Sequence, residues 1–118
     1  IELREVIHKA DGIIISSPEY VFSIPAGLKN IIEWCVSTTV FSDKPVGLIT
    51  ASASGLKAYE ELQMIMKTIQ ALVSEENSLL ISGVKGKINR DGAITDSETE
   101  KSLKIFLNNF IELMAERA

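Results

Sequence analysis

The segment from Ala10 to Trp34 constrains the fold of this chain more than any other part of the sequence. Residues 13–15 are all isoleucine, and such a continuous apolar run is typical of a parallel strand that is covered on both faces. We predict this strand over Gly12–Ser16. Pro18 ends the run, because proline cannot donate a hydrogen bond to a neighbouring strand, and Pro25 suits the first turn of a following helix.

The loop Pro18–Pro25 therefore joins a buried strand to a helix that we predict near Ala26–Ser37, where apolar residues recur at helical spacing. In open α/β sheets, ligands bind beyond the carboxyl ends of the strands. We expect this loop to lie at a ligand site.

The rest of the chain alternates between strand and helix patterns. We predict a first helix before Ala10, strands over Pro45–Thr50 and Ser78–Ser82, a flexible loop over Ala51–Gly55, a helix over Leu56–Ser74, and a final helix capped by Thr95 and Glu98. Alternation at these lengths predicts an α/β fold with a parallel sheet and right-handed crossovers.

The amino-acid sequence of the first loop and helix resembles that of the NADPH-dependent FMN reductase family, whose members are flavodoxin-like quinone, azo-dye and chromate reductases. The matching residues are Ser17, Pro18, Glu19, Tyr20, Ser23, Ile24, Pro25, Leu28, Lys29, Asn30 and Trp34. Weaker similarity continues over Lys44–Gly55 and Ile88–Glu98. The chain departs from the family at Val21, where relatives usually have Asn, and at residues 54–57, where relatives often have a run of glycines.

The resemblance implies a flavodoxin-like three-layer fold whose full sheet has the strand order 2-1-3-4-5. The strands found here would be the third, fourth and fifth. The family's first strand, phosphate loop, first helix and second strand have no counterpart, so we expect residues 1–118 to form a single, incomplete flavodoxin-like domain.

The resemblance also implies the site, with FMN as the cofactor and NAD(P)H as the co-substrate. The residues expected around the flavin ring are Ser17, Pro18, Glu19, Tyr20, Val21, Phe22 and Ser23 from the first loop, with Ser52, Ala53, Ser54 and Gly55 from the second. No side chain is expected to act catalytically or to bind a metal, because the cofactor itself carries the chemistry. Without a phosphate loop, we expect FMN binding to be weak or absent.

Two functions stay open at this point. One is a part of an NAD(P)H-dependent FMN oxidoreductase that passes electrons to a quinone, azo, metal-oxyanion or flavin acceptor. The other is a non-catalytic flavodoxin-like fragment that acts by association alone.

Individual residues in the loops also have alternatives. Tyr20 either stacks on the ring or caps the sheet edge, and Glu19 is expected to be structural, pairing with Lys29 or a neighbouring subunit. Lys57 either meets a nicotinamide-cofactor phosphate or is solvated.

Composition narrows the possible partners. The net charge of −4 and the lack of a Lys/Arg run argue against nucleic acid and anionic membranes. No stretch approaches the roughly 20 apolar residues of a membrane span, and the single Cys35 gives no disulfide framework. We expect a cytoplasmic protein in which His8 lies at the surface.

The truncated sheet predicts self-association. The strand at residues 12–16 would be central in the complete fold and an uncovered edge here, and apolar edges recruit other chains. We expect a dimer or tetramer that forms through this edge or through the broad apolar face of the helix at residues 56–74.

Overall fold

The structure is a computed structural model, and it describes residues 2–117. Their elements, in chain order, are α1 (Glu2–Lys9), β1 (Ile13–Ser17), α2 (Ala26–Val36), β2 (Val46–Ser52), α3 (Leu56–Thr68), β3 (Ser78–Ser82) and α4 (Ser97–Arg117). Short 3₁₀ turns precede and follow β3 at Glu75–Asn77 and Val84–Gly86. The strands form one sheet in the order β1-β2-β3, and both pairings are parallel. The predicted α/β alternation is confirmed.

The central strand β2 divides the molecule into layers, because its successive side chains point to opposite faces of the sheet. Val46 and Leu48 are buried in a cluster with residues of α1, α2 and α3. Ile49 and Ala51 pack on the other face against a cluster that includes Phe106 of α4. Helices thus cover both faces, as the resemblance implied.

Gly47 on β2 sets how closely α4 approaches the sheet. A Cβ added at this position would lie 2.8 Å from Cζ of Phe106 and 3.1 Å from Cδ1 of Phe110. The aromatic side chains of α4 therefore rest directly on the backbone of the central strand.

The helix predicted over Leu56–Ser74 is shorter than expected, because α3 ends at Thr68. Gln70 has a φ of 68°, which turns the chain out of the helix. Leu72 then runs beside the start of β2, where its N–H donates to the carbonyl of Lys44 and its carbonyl accepts from Val46 N–H. In this segment Ala71 is buried and Ile69, Leu72 and Val73 are half-buried. Their spacing in the sequence resembles helical periodicity, although the segment is extended.

Smaller boundary differences have equally local causes. The first strand covers residues 13–17 instead of 12–16, because its register with β2 continues to the pair Ser17 and Thr50. The cap of α4 is Asp96, whose carboxylate accepts hydrogen bonds from the N–H and hydroxyl of Thr99, at 3.0 and 2.6 Å. The capping pair is therefore one residue later than the predicted Thr95 and Glu98.

Candidate functional site

Two loops meet at the carboxyl edge of the sheet. The first, residues 18–25, follows β1, and the second, residues 53–55, follows β2. Because the strands are parallel neighbours paired through Ser17 and Thr50, both loops leave the sheet on the same side. Ser17 is buried at the base of the first loop, and its hydroxyl donates to the carbonyl of Pro18 at 2.9 Å.

The centre of the first loop is a tight two-residue turn between Tyr20 and Ser23. The N–H of Tyr20 donates to the carbonyl of Ser23 at 2.8 Å, and the reverse bond is 3.0 Å. The residues between them, Val21 and Phe22, have φ of 50° and 57°. Two successive positive φ values within a reciprocal pair of hydrogen bonds define a type I′ turn, which favours Asn and Gly over side chains such as these.

The tip of this turn is apolar and faces outward. The exposed fraction is 61% for Tyr20, 95% for Val21 and 73% for Phe22. The exposed aromatic rings of Tyr20 and Phe22 could offer a flat contact to an aromatic ligand.

Glu19 ties the base of the turn to the start of α3. One carboxylate oxygen accepts the N–H of Gly55 at 3.1 Å, and the other accepts the N–H of Ala58 at 3.0 Å. These are N–H groups at a helix N-terminus, where negative charge is favoured. The predicted structural role is present, but its form differs from the expected pairing with Lys29, because the carboxylate binds backbone donors.

Glu61 makes the return contact from α3 to the loop. Its Oε1 accepts the hydroxyl of Ser23 at 2.6 Å and the N–H of Ile24 at 2.8 Å. The Ser23 hydrogen bond, followed by that from Ile24, lowers the pKa of Glu61 below its ordinary value, and the charge of Lys29 acts in the same direction. We call Glu19 and Glu61 together the carboxylate clamp.

The second loop is fixed mainly by β3. The carbonyl of Ala53 accepts the N–H of Gly83 at 3.0 Å, and that of Ser54 accepts the Ser82 hydroxyl at 2.5 Å. Gly55 has a φ of 90°, and an added Cβ would lie 2.9 Å from Cδ1 of Leu80. The glycine therefore allows the chain to enter α3 directly above the sheet.

Both loops carry backbone N–H groups that could bind a ligand. Among residues 2–117, the N–H groups of Val21, Phe22 and Ser54 have no hydrogen-bond partner. Open N–H groups beside an apolar turn are the donors and the surface that an isoalloxazine ring needs. The two loops could therefore hold a planar ligand with a polar edge.

The predicted site residues occupy these two loops and the strand ends that carry them. Ser17 ends β1 and Ser52 ends β2. The loops that follow these two strands contain the other predicted residues: Pro18, Glu19, Tyr20, Val21, Phe22, Ser23, Ala53, Ser54 and Gly55. The carboxylate clamp links the first loop to the second loop and α3. Contact of each of these residues with a flavin stays a prediction. Glu61 was missed, because its position on the flank of α3 indicates no partner by itself.

The remaining candidates lie away from this edge. Cys35 is buried, as predicted, and His8 is exposed on α1. Across residues 2–117, no three His, Cys, Asp or Glu side chains are grouped so as to hold a metal ion. Within the same range, no helix combines the length and apolarity needed to cross a membrane.

Comparison with known proteins identifies the relatives. A family model for NADPH-dependent FMN reductase matches residues 1–86. The chain is 31% identical to subunit CrdA of the NADH:(hydroxy)cinnamate reductase of Vibrio ruber, over 92% of this chain and 57% of that protein. It is 30% identical to the quinone reductase of Escherichia coli K12, over 95% of this chain and 63% of that protein. The chain thus spans less than two thirds of either relative.

A solved structure shares the fold. The flavoenzyme NAD(P)H:(acceptor) oxidoreductase of Paracoccus denitrificans superposes with a TM-score of 0.84, at 23% identity, over 98% of this chain and 66% of that one. At this identity the match supports the flavodoxin-like fold alone.

Proposed function

The chain belongs to the NADPH-dependent FMN reductase family, and we propose that it supplies the ring-binding edge of an NAD(P)H-dependent FMN oxidoreductase. The observation that carries the proposal is the type I′ turn of residues 20–23, clamped beside the second loop at the carboxyl edge of the sheet. Open N–H groups and exposed apolar side chains meet there, which is what the two edges of a flavin ring require.

When bound, FMN would supply the redox chemistry, namely hydride acceptance from NAD(P)H and electron transfer to an acceptor. The protein would contribute by binding and orienting the ring. Tyr20 and Phe22 would offer aromatic surface, and the N–H groups of Val21, Phe22 and Ser54 would be available to donate to the polar edge of the ring. No side chain of the two loops is needed to carry a proton.

Small organic electron acceptors are the proposed substrates. Relatives are named quinone reductase and NADH-dependent flavin reductase, and both substrate types are planar molecules that suit an exposed flavin face. The chain carries the ring side of the site, so we propose that FMN binds weakly to these 118 residues. A cytoplasmic location is part of the same proposal.

The test is a fluorescence titration of FMN with the purified chain and with Phe22→Ala. Ile105→Ala is the matched control, since Ile105 is also an exposed apolar residue, 55% accessible, but lies on α4. We expect quenching by the parent chain and the control, with weaker affinity for the Phe22 variant. Equal affinities in all three proteins, or no quenching at all, would contradict the proposal.

Self-association is a second proposal, and the outward face of α3 favours it. Glu60, Met64 and Lys67 are exposed on this face, so an apolar side chain lies between two opposite charges. If two copies of α3 pair antiparallel around Gln63 and Met64, Glu60 lies opposite Lys67 of the partner subunit, and the reverse pair forms as well. We propose that a second copy covers this face.

Sedimentation velocity tests this pairing. Glu60→Lys should weaken the dimer, and combining it with Lys67→Glu should restore it, because the two charges are then exchanged. A dimer that is unaffected by either change but lost on substitution at the β1 edge would place the interface at that edge instead.

A further inference from the structure

We infer that Glu19 and Glu61 are positioning residues that hold the Tyr20–Ser23 turn in the conformation that faces the flavin. This inference rests on the proposed function and extends it to two carboxylates whose hydrogen bonds go to other residues of the chain. It starts from the location of the carboxylate clamp, whose two members grip the chain immediately before and immediately after the turn.

The turn needs outside support. Val21 and Phe22 both have positive φ, which is unfavourable for side chains other than Gly, Asn and Asp. Their side chains are exposed, so burial in the rest of the molecule contributes little to holding them. Within the turn, the reciprocal bonds between Tyr20 and Ser23 are the stabilising contacts. The clamp supplies four more hydrogen bonds at the two ends of the turn.

The clamp also connects the turn to the second loop. Glu19 accepts the N–H of Gly55, the last residue of that loop, and of Ala58 in the first turn of α3. Glu61, one helical turn further on, accepts from Ser23 and Ile24. Both sides of the proposed ring site are thereby fixed to one rigid element, α3, and this sets the spacing between them.

The two carboxylates differ in a way that makes the inference testable. Glu61 uses a single oxygen for both of its donors, so a glutamine at this position can accept both with its carbonyl oxygen. Glu19 uses one oxygen for each N–H. A glutamine there would place its NH₂ group against a backbone donor and lose one bond. The same conservative change should therefore be tolerated at one position and harmful at the other.

The experiment measures backbone amide exchange of Tyr20 and Ser23 by NMR in the cofactor-free chain. The variants are Glu19→Gln, Glu61→Gln and Glu61→Ala, with Glu112→Gln as a control on an exposed glutamate of α4. We expect exchange at the turn to accelerate about tenfold in Glu19→Gln and Glu61→Ala, the scale for losing a hydrogen bond to a charged group. Glu61→Gln and the control should match the parent chain.

FMN affinity is then measured on the same proteins. We expect it to fall in Glu19→Gln and Glu61→Ala and to be kept in Glu61→Gln. Unchanged exchange at Tyr20 and Ser23 in Glu19→Gln and Glu61→Ala would overturn the inference. So would equal acceleration at core amides such as Leu48, because the variants would then act through global stability. If FMN binds no variant and not the parent, the proposed function fails, while amide exchange still decides whether the clamp holds the turn.

Discussion

Replacing Val21 by asparagine should stabilise the protein, although the substitution puts a polar residue in place of an apolar one. Val21 has a φ of 50° and is 95% exposed. Its side chain therefore loses no buried surface on substitution, while its β-branched shape is poorly suited to the left-handed region. Asparagine tolerates this region because its short side chain bonds the local backbone.

The size of the effect follows from the conformational cost. A left-handed conformation costs a side chain other than Gly or Asn roughly 1–2 kcal/mol. We expect Val21→Asn to recover about 1 kcal/mol, which raises Tm by about 4 °C in a chain of this length. Val21→Gly should give a smaller gain, because glycine adds roughly 0.5–1 kcal/mol of unfolded-state entropy that folding must overcome.

Thermal unfolding followed by circular dichroism, with urea titrations at 25 °C, measures both variants against the parent. The control is Val6→Asn, since Val6 is also an exposed valine but lies in the helix α1, where Val and Asn have similar propensities. The expected order of stability is Asn, then Gly, then Val at position 21. A Val21→Asn protein that melts at or below the parent temperature would refute the argument, as would an equal gain in the control.

Three further changes test other parts of the structure. Gly47→Ala should destabilise by about 1–3 kcal/mol in urea unfolding, because the added carbon lies 2.8 Å from Cζ of Phe106; an unchanged midpoint would show that α4 moves away freely. Asn77→Asp should cost about 3 kcal/mol at neutral pH, since the buried amide that donates to Val46 O at 2.6 Å is replaced by a carboxylate, and a neutral result would contradict that contact. The lowered pKa of Glu61 predicts that its contribution to stability is complete above the ordinary glutamate value of 4.5 and is lost as the pH falls through the lower pKa of the folded state. Glu61→Gln should therefore make the free energy of unfolding less dependent on acid pH. An identical pH profile in the variant would disprove this contribution of Glu61.

Much of the fold could be predicted from local sequence. The isoleucine run of residues 13–15 and the segment Ser78–Ser82 predicted strands within one residue of their positions, because apolar runs bounded by turn residues depend on nearby side chains. The end of α3 could not be predicted in the same way. Beyond Thr68 the chain pairs with the start of β2, and the partial burial of its apolar side chains leaves a pattern that looks helical.

The candidate site likewise has a part that could be predicted from the sequence and a part that could not. The motif around Pro18 and Tyr20 pointed to both loops, since parallel strands necessarily end at a common edge. What holds those loops was not foreseeable: Glu61 is 38 positions from Ser23, and Glu19 is 36 positions from Gly55. A hydrogen bond over such a distance has no periodicity and no spacing rule.

The sequence by itself determined the alternation of strands and helices, the parallel sheet, the family and the position of the candidate site, because each depends on local patterning or on a continuous motif. The tertiary structure alone decided where α3 ends, that Val21 and Phe22 adopt positive φ, and that two glutamates from different elements hold the turn between them. These features arise where distant segments share donors, acceptors and space, and such sharing exists only once the chain has folded.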